Sequence, residues 1–286
     1  MTDPASAPPA DRPAKTVLVL SGGGANGAVE VGFYQALREY GITLDLILGT
    51  SIGAINGAMI ASGLPPEEIQ DRWRRTTRRE LLQWNWWELL TRGTGARSLF
   101  SGRQFRRFLE RAIPARTFSE LMIPFIAVAS DMRTAEVITL EEGDLIDAVQ
   151  ASSAIPGFYP PVTINGRQLV DGGILRQIPV DVAIDRGATT TIVALAECRN
   201  EPHQMPRGFI DAWGRSFSIA VKGAAMYPGF FDRVATRTRL VLLEPCFMVH
   251  VNTRNVFDLS QTDTLVRLGY EYAVARLEQE GFAPPD

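Results

Sequence analysis

Two glycine-framed segments hold the residues best suited to chemistry. Gly49-Thr50-Ser51-Ile52-Gly53 matches G-x-S-x-G, with a buried-strand pattern before it and a small-residue helical pattern after it. A serine on such an elbow is held in a strained turn that lifts its hydroxyl off a sheet toward substrate. Side chains at the two flanking glycines would collide with neighbouring chain, and the following helix N-terminus favours developing negative charge. The second segment, Ser21-Gly22-Gly23-Gly24-Ala25-Asn26-Gly27, follows a strand-like run directly and opens a helix. Glycines there let backbone N–H groups converge on an anion, either a phosphate or a transient oxyanion. A purely structural tight turn is the plain alternative.

Gly22, Gly24 and Gly27 also fit the G-x-G-x-x-G dinucleotide fingerprint. That fingerprint needs an acid at the end of the second strand, and Asp45 stands at its start. A Walker A loop is excluded because Ala28, not Lys, follows Gly27.

A serine nucleophile needs a base. The chain has two histidines: His203 in a polar loop, and His250 within Phe247-Met248-Val249-His250-Val251. A triad would run along the chain as Ser51, an acid, then His203 or His250. The better candidate is Asp171 in Val170-Asp171-Gly172-Gly173, at the end of a short strand, where two glycines permit a tight turn. A surface turn is the competing reading. A free aspartate, with a pKa of about 3.9, is a weak base toward a hydroxyl. It works only if burial raises its proton affinity and a direct hydrogen bond positions it.

Together these blocks resemble the patatin-like phospholipase family, in particular its bacterial branch similar to the neuropathy-target-esterase catalytic domain. Ala151-Ser152-Ser153-Ala154-Ile155-Pro156 resembles the segment that precedes the family's aspartate motif. The resemblance covers roughly residues 16–195. It implies Ser51 as nucleophile, Asp171 as base, the Gly22, Gly23 and Gly24 amides as oxyanion hole, and lipid acyl esters as substrates, with no metal or cofactor. Two positions depart from the family pattern: Asn26 where Arg or Lys is usual, and Gln177 where Asn is common.

These residues must be positioned by alternating strands and helices. Strand patterns fall at 16–20, 44–48, 124–130, 137–140, 168–170, 190–195 and 239–243; helical patterns fall at 28–40, 52–61, 145–152, 180–186 and 261–280. The alternation predicts an α/β fold: a mostly parallel central sheet with helices on both faces, three-layered, in one domain. We expect a disordered lead-in over 1–14, an acyl hydrolase domain over 15–281 and a tail over 282–286.

Composition is consistent with this reading. Of 286 residues, 45% are hydrophobic, enough for a sizeable core, and the net charge of −3 argues against a nucleic-acid binder. Two histidines nearly exclude chemistry that needs several imidazole ligands, and two cysteines are too sparse and too far apart for a disulfide framework or a Cys-rich zinc site. Residues 46–66 lack charge but are rich in Gly, Ser, Thr and Asn, which fits a buried strand–turn–helix rather than a membrane span. No secretory signal is visible. A cytoplasmic protein is expected, with peripheral membrane contact an option.

Two stretches could meet lipid. Residues 71–92 hold Arg72, Arg74, Arg75, Arg78 and Arg79 together with Trp73, Trp84, Trp86 and Trp87. Cationic and aromatic groups suit an anionic membrane surface. The plainer reading is a helix whose Trp and Leu cover the sheet while Arg faces water. In residues 208–226, Phe209, Trp213, Phe217 and Val221 recur every fourth position, suited to a core helix or an acyl-chain wall.

The expected function is a serine acyl hydrolase of phospholipase or esterase type, working through an acyl-enzyme. Two rivals remain at this level: a Ser–His–Asp hydrolase of small soluble esters, and a non-enzymatic module whose glycine loop binds a phosphate or nucleotide.

Overall fold

The computed structural model describes residues 14–198, 229–246 and 258–285, with Ala212, Ser216 and residues 219–221 between them. His203, His250, the lead-in apart from Ala14, and most of 208–226 therefore lie outside the described residues.

Among the described residues, eight strands form one sheet: β1 (Thr16–Leu20), β2 (Leu46–Thr50), β3 (Phe125–Asp131), β4 (Val137–Leu140), β5 (Val162–Ile164), β6 (Arg167–Asp171), β7 (Thr190–Ala194) and β8 (Arg239–Leu243). Hydrogen-bonded pairing runs β5-β6-β3-β2-β1-β7-β8; β2 and β6 share one edge of β3, and β4 takes its other edge. Five strands, β3-β2-β1-β7-β8, run parallel, while β4, β5 and β6 add antiparallel pairings.

Alternate residues of the central strands feed two cores, as the two-residue period of a strand requires. Leu18, Leu20 and Ile47 face one layer, which holds Val29, Phe33, Ile55, Met59, Trp73 and Leu109. Those residues belong to α1 (Ala28–Glu39), α2 (Ile52–Ala61), α3 (Pro66–Arg75) and α6 (Gly102–Ala112). Val17, Val19, Leu46 and Leu48 face the other layer, against Val180 and Ala183 of α9 (Val180–Asp185) and Phe231 and Val234 of α10 (Phe230–Ala235). The result is the three-layer α/β arrangement that the alternation predicts.

The charge-free stretch 46–66 holds β2, the elbow and α2, packed in the protein interior apart from the half-buried Ser51 and the last turn. No helix among the described residues is long and apolar enough to cross a membrane. One expectation needs revising: Cys198 and Cys246 form a disulfide across a separation of 48 residues. The parallel neighbours β7 and β8 end side by side, with Ala194 opposite Leu243, so distance in sequence is not distance in space.

Candidate active site

The pairing of β3 places the key loops. β2 runs parallel to β3 and ends with Thr50 opposite Val128. β6 runs antiparallel and ends with Asp171 opposite Ala129. The two strands thus meet head to head along one edge of β3, and the residues at their tips converge. Ser51 Oγ donates a 2.7 Å hydrogen bond to Asp171 Oδ2.

Ser51 sits at φ 56°, ψ −121°, a conformation that a non-glycine residue adopts only when its surroundings enforce it. The enforcement comes from close backbone packing across the elbow. A Cβ on Gly49 would lie 2.4 Å from the Gly53 carbonyl oxygen, and one on Gly53 would lie 2.5 Å from that of Leu20. The segment between α7 (Leu145–Ser152) and β5 braces both loops. Ser152 Oγ accepts from the Ser51 N–H at 3.1 Å and donates to the Val128 carbonyl at 2.6 Å. Ser153 Oγ donates to the Ser51 carbonyl at 3.0 Å, and the Asp171 N–H donates to that of Ala154 at 3.0 Å. Nothing in the local sequence of this segment assigns the two serines these roles, because their partners are distant in the chain.

Asp171 is buried, and burial pushes its carboxyl up to about 6, against the lowering effect of bonds from Ser51 and from the Gly173 N–H. The Gly173 bond, 2.7 Å to Oδ1, fixes the carboxylate plane. The Gly172 N–H donates to Ser152. The carboxylate is therefore oriented at both oxygens and shielded from water, as a base toward a hydroxyl must be.

The glycine loop lies against this pair. A Cβ on Gly22 would stand 3.4 Å from Ser51 Cβ. Gly22 is held at two points by Gln177: its N–H donates to the Gln177 carbonyl at 3.4 Å, and Gln177 Nε2 donates to the Gly22 carbonyl at 3.0 Å. In sequence Gln177 stands out only as a departure from a family pattern; its contact with the loop spans 155 positions and leaves no local signal. The Gly23 and Gly24 N–H groups have no acceptor among the described residues, nor does Ile52 N–H in the first turn of α2. Such orphan donors at helix starts are the groups that stabilise an oxyanion. Gly27 packs on Ile52, which ties the glycine loop to the elbow.

Behind the loop runs a buried polar chain that the sequence did not announce. Asn56 Nδ2 donates to the Gly27 carbonyl at 2.9 Å and to Glu30 Oε2 at 2.8 Å, while Asn56 Oδ1 accepts from Trp73 Nε1 at 2.8 Å. Burial pushes the Glu30 carboxyl well above the usual carboxylate range. Among the described residues, Cys198, Glu244 and Cys246 are the one group with metal-ligating atoms close together, and the disulfide engages both sulfurs.

The family model for patatin-like phospholipases matches residues 18–184. The chain is 33% identical over 192 residues to patatin-like phospholipase domain-containing protein 7 of Mus musculus, covering 64% of this chain and 14% of that protein. It is 32% identical over 179 residues to an NTE family protein of Mycobacterium bovis, covering 62% of this chain and 48% of that protein. The match thus spans about one seventh of the mouse relative and about half of the mycobacterial one. Among solved structures, VipD from Legionella pneumophila has a similar fold, with a TM-score of 0.59 at 16% identity over 93% of this chain and 67% of that chain.

Proposed function

The chain belongs to the patatin-like phospholipase family, and from that premise we propose that it is a carboxylic ester hydrolase of lipid acyl esters, with Ser51 as nucleophile and Asp171 as base. The observation that carries the reading is the direct 2.7 Å bond between the Ser51 hydroxyl and a buried carboxylate. In a Ser–His–Asp arrangement an imidazole stands between hydroxyl and carboxylate. A bond this short between the two side chains leaves no room for one and supports the dyad.

Asp171 takes the hydroxyl proton as Ser51 Oγ attacks the ester carbonyl carbon. The carbonyl oxygen becomes an oxyanion, received by the N–H groups of Gly23, Gly24 and Ile52, with Gly22 serving as the loop's anchor. Protonated Asp171 then gives its proton to the leaving alcohol, and the acyl group stays on Ser51. In the second half, Asp171 takes a proton from water as the water attacks the acyl ester, and returns that proton to Ser51 Oγ as this oxygen leaves, releasing the fatty acid and restoring the dyad. Removal of a single oxyanion donor in such sites costs about 100- to 1000-fold in rate, so the loop matters as much as the dyad.

Covalent capture tests the nucleophile without a choice of substrate. A fluorophosphonate probe is expected to label wild type at Ser51 and to leave Ser51→Ala unlabelled. Labelling at another residue would remove Ser51 from its role.

A further inference from the structure

The four tryptophans of residues 71–92 separate in the fold. Trp73 is core, on the same buried face of α3 as Ile69. Trp84, Trp86 and Trp87 are 43%, 60% and 80% exposed, and Leu90 is 80% exposed. Of the seven large apolar side chains exposed among the described residues, four lie in this one stretch. Helix α5 (Trp86–Arg92) buries none of its residues, and among the described residues nothing covers Trp87 or Leu90. Apolar groups gathered in water in this way mark a contact surface.

The outcrop is rigidly attached. The Asn85 N–H donates to Leu99 at 2.9 Å and the Ser101 N–H donates to Gln83 at 2.8 Å, while the Leu99 and Phe100 N–H groups donate to Gly157 and Phe158 at 2.9 Å each. Trp84 stacks on Trp86, with ring centroids 5.6 Å apart, and packs against Phe100 at 5.1 Å. Gly157 and Phe158 continue directly from the segment whose Ser153 and Ala154 hold Ser51 and Asp171. A body seated on the outcrop is therefore registered to the candidate site through a short, hydrogen-bonded path.

Charge identifies the body. Between positions 75 and 107 there are eight arginines against two glutamates, in a chain whose net charge is −3. Arg78, Arg79, Arg103 and Arg107 are exposed and form no ion pair among the described residues. Arg92 and Arg97 share the single carboxylate of Glu88, at 3.6 and 3.2 Å. Indole rings at the headgroup boundary and guanidinium groups on phosphates are the chemistry of an anionic bilayer surface.

We propose that Trp84, Trp86, Trp87 and Leu90, with the arginines around them, dock this protein on an anionic phospholipid bilayer. The choice of a lipid surface as partner rests on the ester-hydrolase reading above; the exposed patch and its charge do not.

The test is flotation of the full chain with phosphatidylcholine vesicles, with and without phosphatidylglycerol, alongside quenching of tryptophan fluorescence by brominated phosphatidylcholine. Wild type is expected to float with the anionic vesicles and to be quenched there. The Trp87→Ala/Leu90→Ala variant is expected to bind at least about tenfold more weakly, while keeping wild-type hydrolysis of a soluble short-chain p-nitrophenyl ester. Arg78→Gln/Arg79→Gln is expected to weaken anionic binding by about fivefold or more per arginine. Ser51→Ala should still float, which separates docking from hydrolysis. Vesicle binding unaffected by the Trp87/Leu90 substitutions, equal binding to neutral and anionic vesicles, or a dimer that the substitutions convert to monomer would each overturn the proposal. Absence of Ser51-dependent hydrolysis with flotation intact would instead sink the hydrolase reading alone.

Discussion

Ser51 and Asp171, 120 positions apart in the chain, share a direct hydrogen bond of 2.7 Å. Strand pairing produces it: β2 and β6 approach each other along one edge of β3 and stop at its neighbouring residues Val128 and Ala129. The geometry makes the proposed nucleophile and base a property of sheet topology rather than of either loop alone.

The protonation state of Asp171 sets the first prediction. Its carboxyl is pushed up to about 6 by burial, and only the ionised form accepts a proton from Ser51. For a short-chain ester, kcat/KM is expected to rise with pH and level off above about 6, falling about tenfold per pH unit below that. A profile flat down to pH 4.5 would contradict the assignment of Asp171 as base.

The same burial predicts a stability gain on losing the charge. With the folded-state value near 6 and the unfolded value that of an ordinary carboxylate, the native state binds the proton more tightly between those limits. Stability therefore falls as pH rises through that window, and the full penalty is present above it. Asp171→Asn is expected to be more stable than wild type at pH 8, by up to about 3 kcal/mol. The difference should shrink toward pH 4, which thermal melts at the two pH values would show.

Gln177 gives a third prediction, because its side-chain amide holds the Gly22 carbonyl, a bond that alanine removes while the backbone bond to the Gly22 N–H stays. Gln177→Ala is expected to leave the fold intact and to misalign the adjacent amides. The outcome is a fall of about tenfold or more in kcat with KM nearly unchanged, since oxyanion donors act on the transition state. A change confined to KM would place Gln177 in substrate binding instead.

Elements with a strong local signature were legible in the sequence. β1 (Thr16–Leu20) and α2 (Ile52–Ala61) show their bounds because apolar runs end at glycine or serine. The elbow is local too, its glycines being required by contacts within a few residues and with β1. β5 (Val162–Ile164) was missed because it is three residues long and never buried. The antiparallel course of β6, the pairing of Cys198 with Cys246, and the grip of Gln177 on Gly22 are all tertiary, and no residue pattern records them. The tryptophans show the same limit. Composition groups Trp73 with Trp84, Trp86 and Trp87, yet of the four only Trp73 lies on a buried helix stripe, packed among neighbouring helices.

The most direct test of the central claim compares hydrolysis of p-nitrophenyl acyl esters and of a phospholipid by four proteins: wild type, Ser51→Ala, Asp171→Asn, and His203→Ala/His250→Ala. The dyad predicts that Ser51→Ala and Asp171→Asn each lose activity by about a thousandfold or more, while the double histidine variant stays active. Unchanged rates in Ser51→Ala or Asp171→Asn, or loss of activity in the histidine variant with its fold intact, would contradict it.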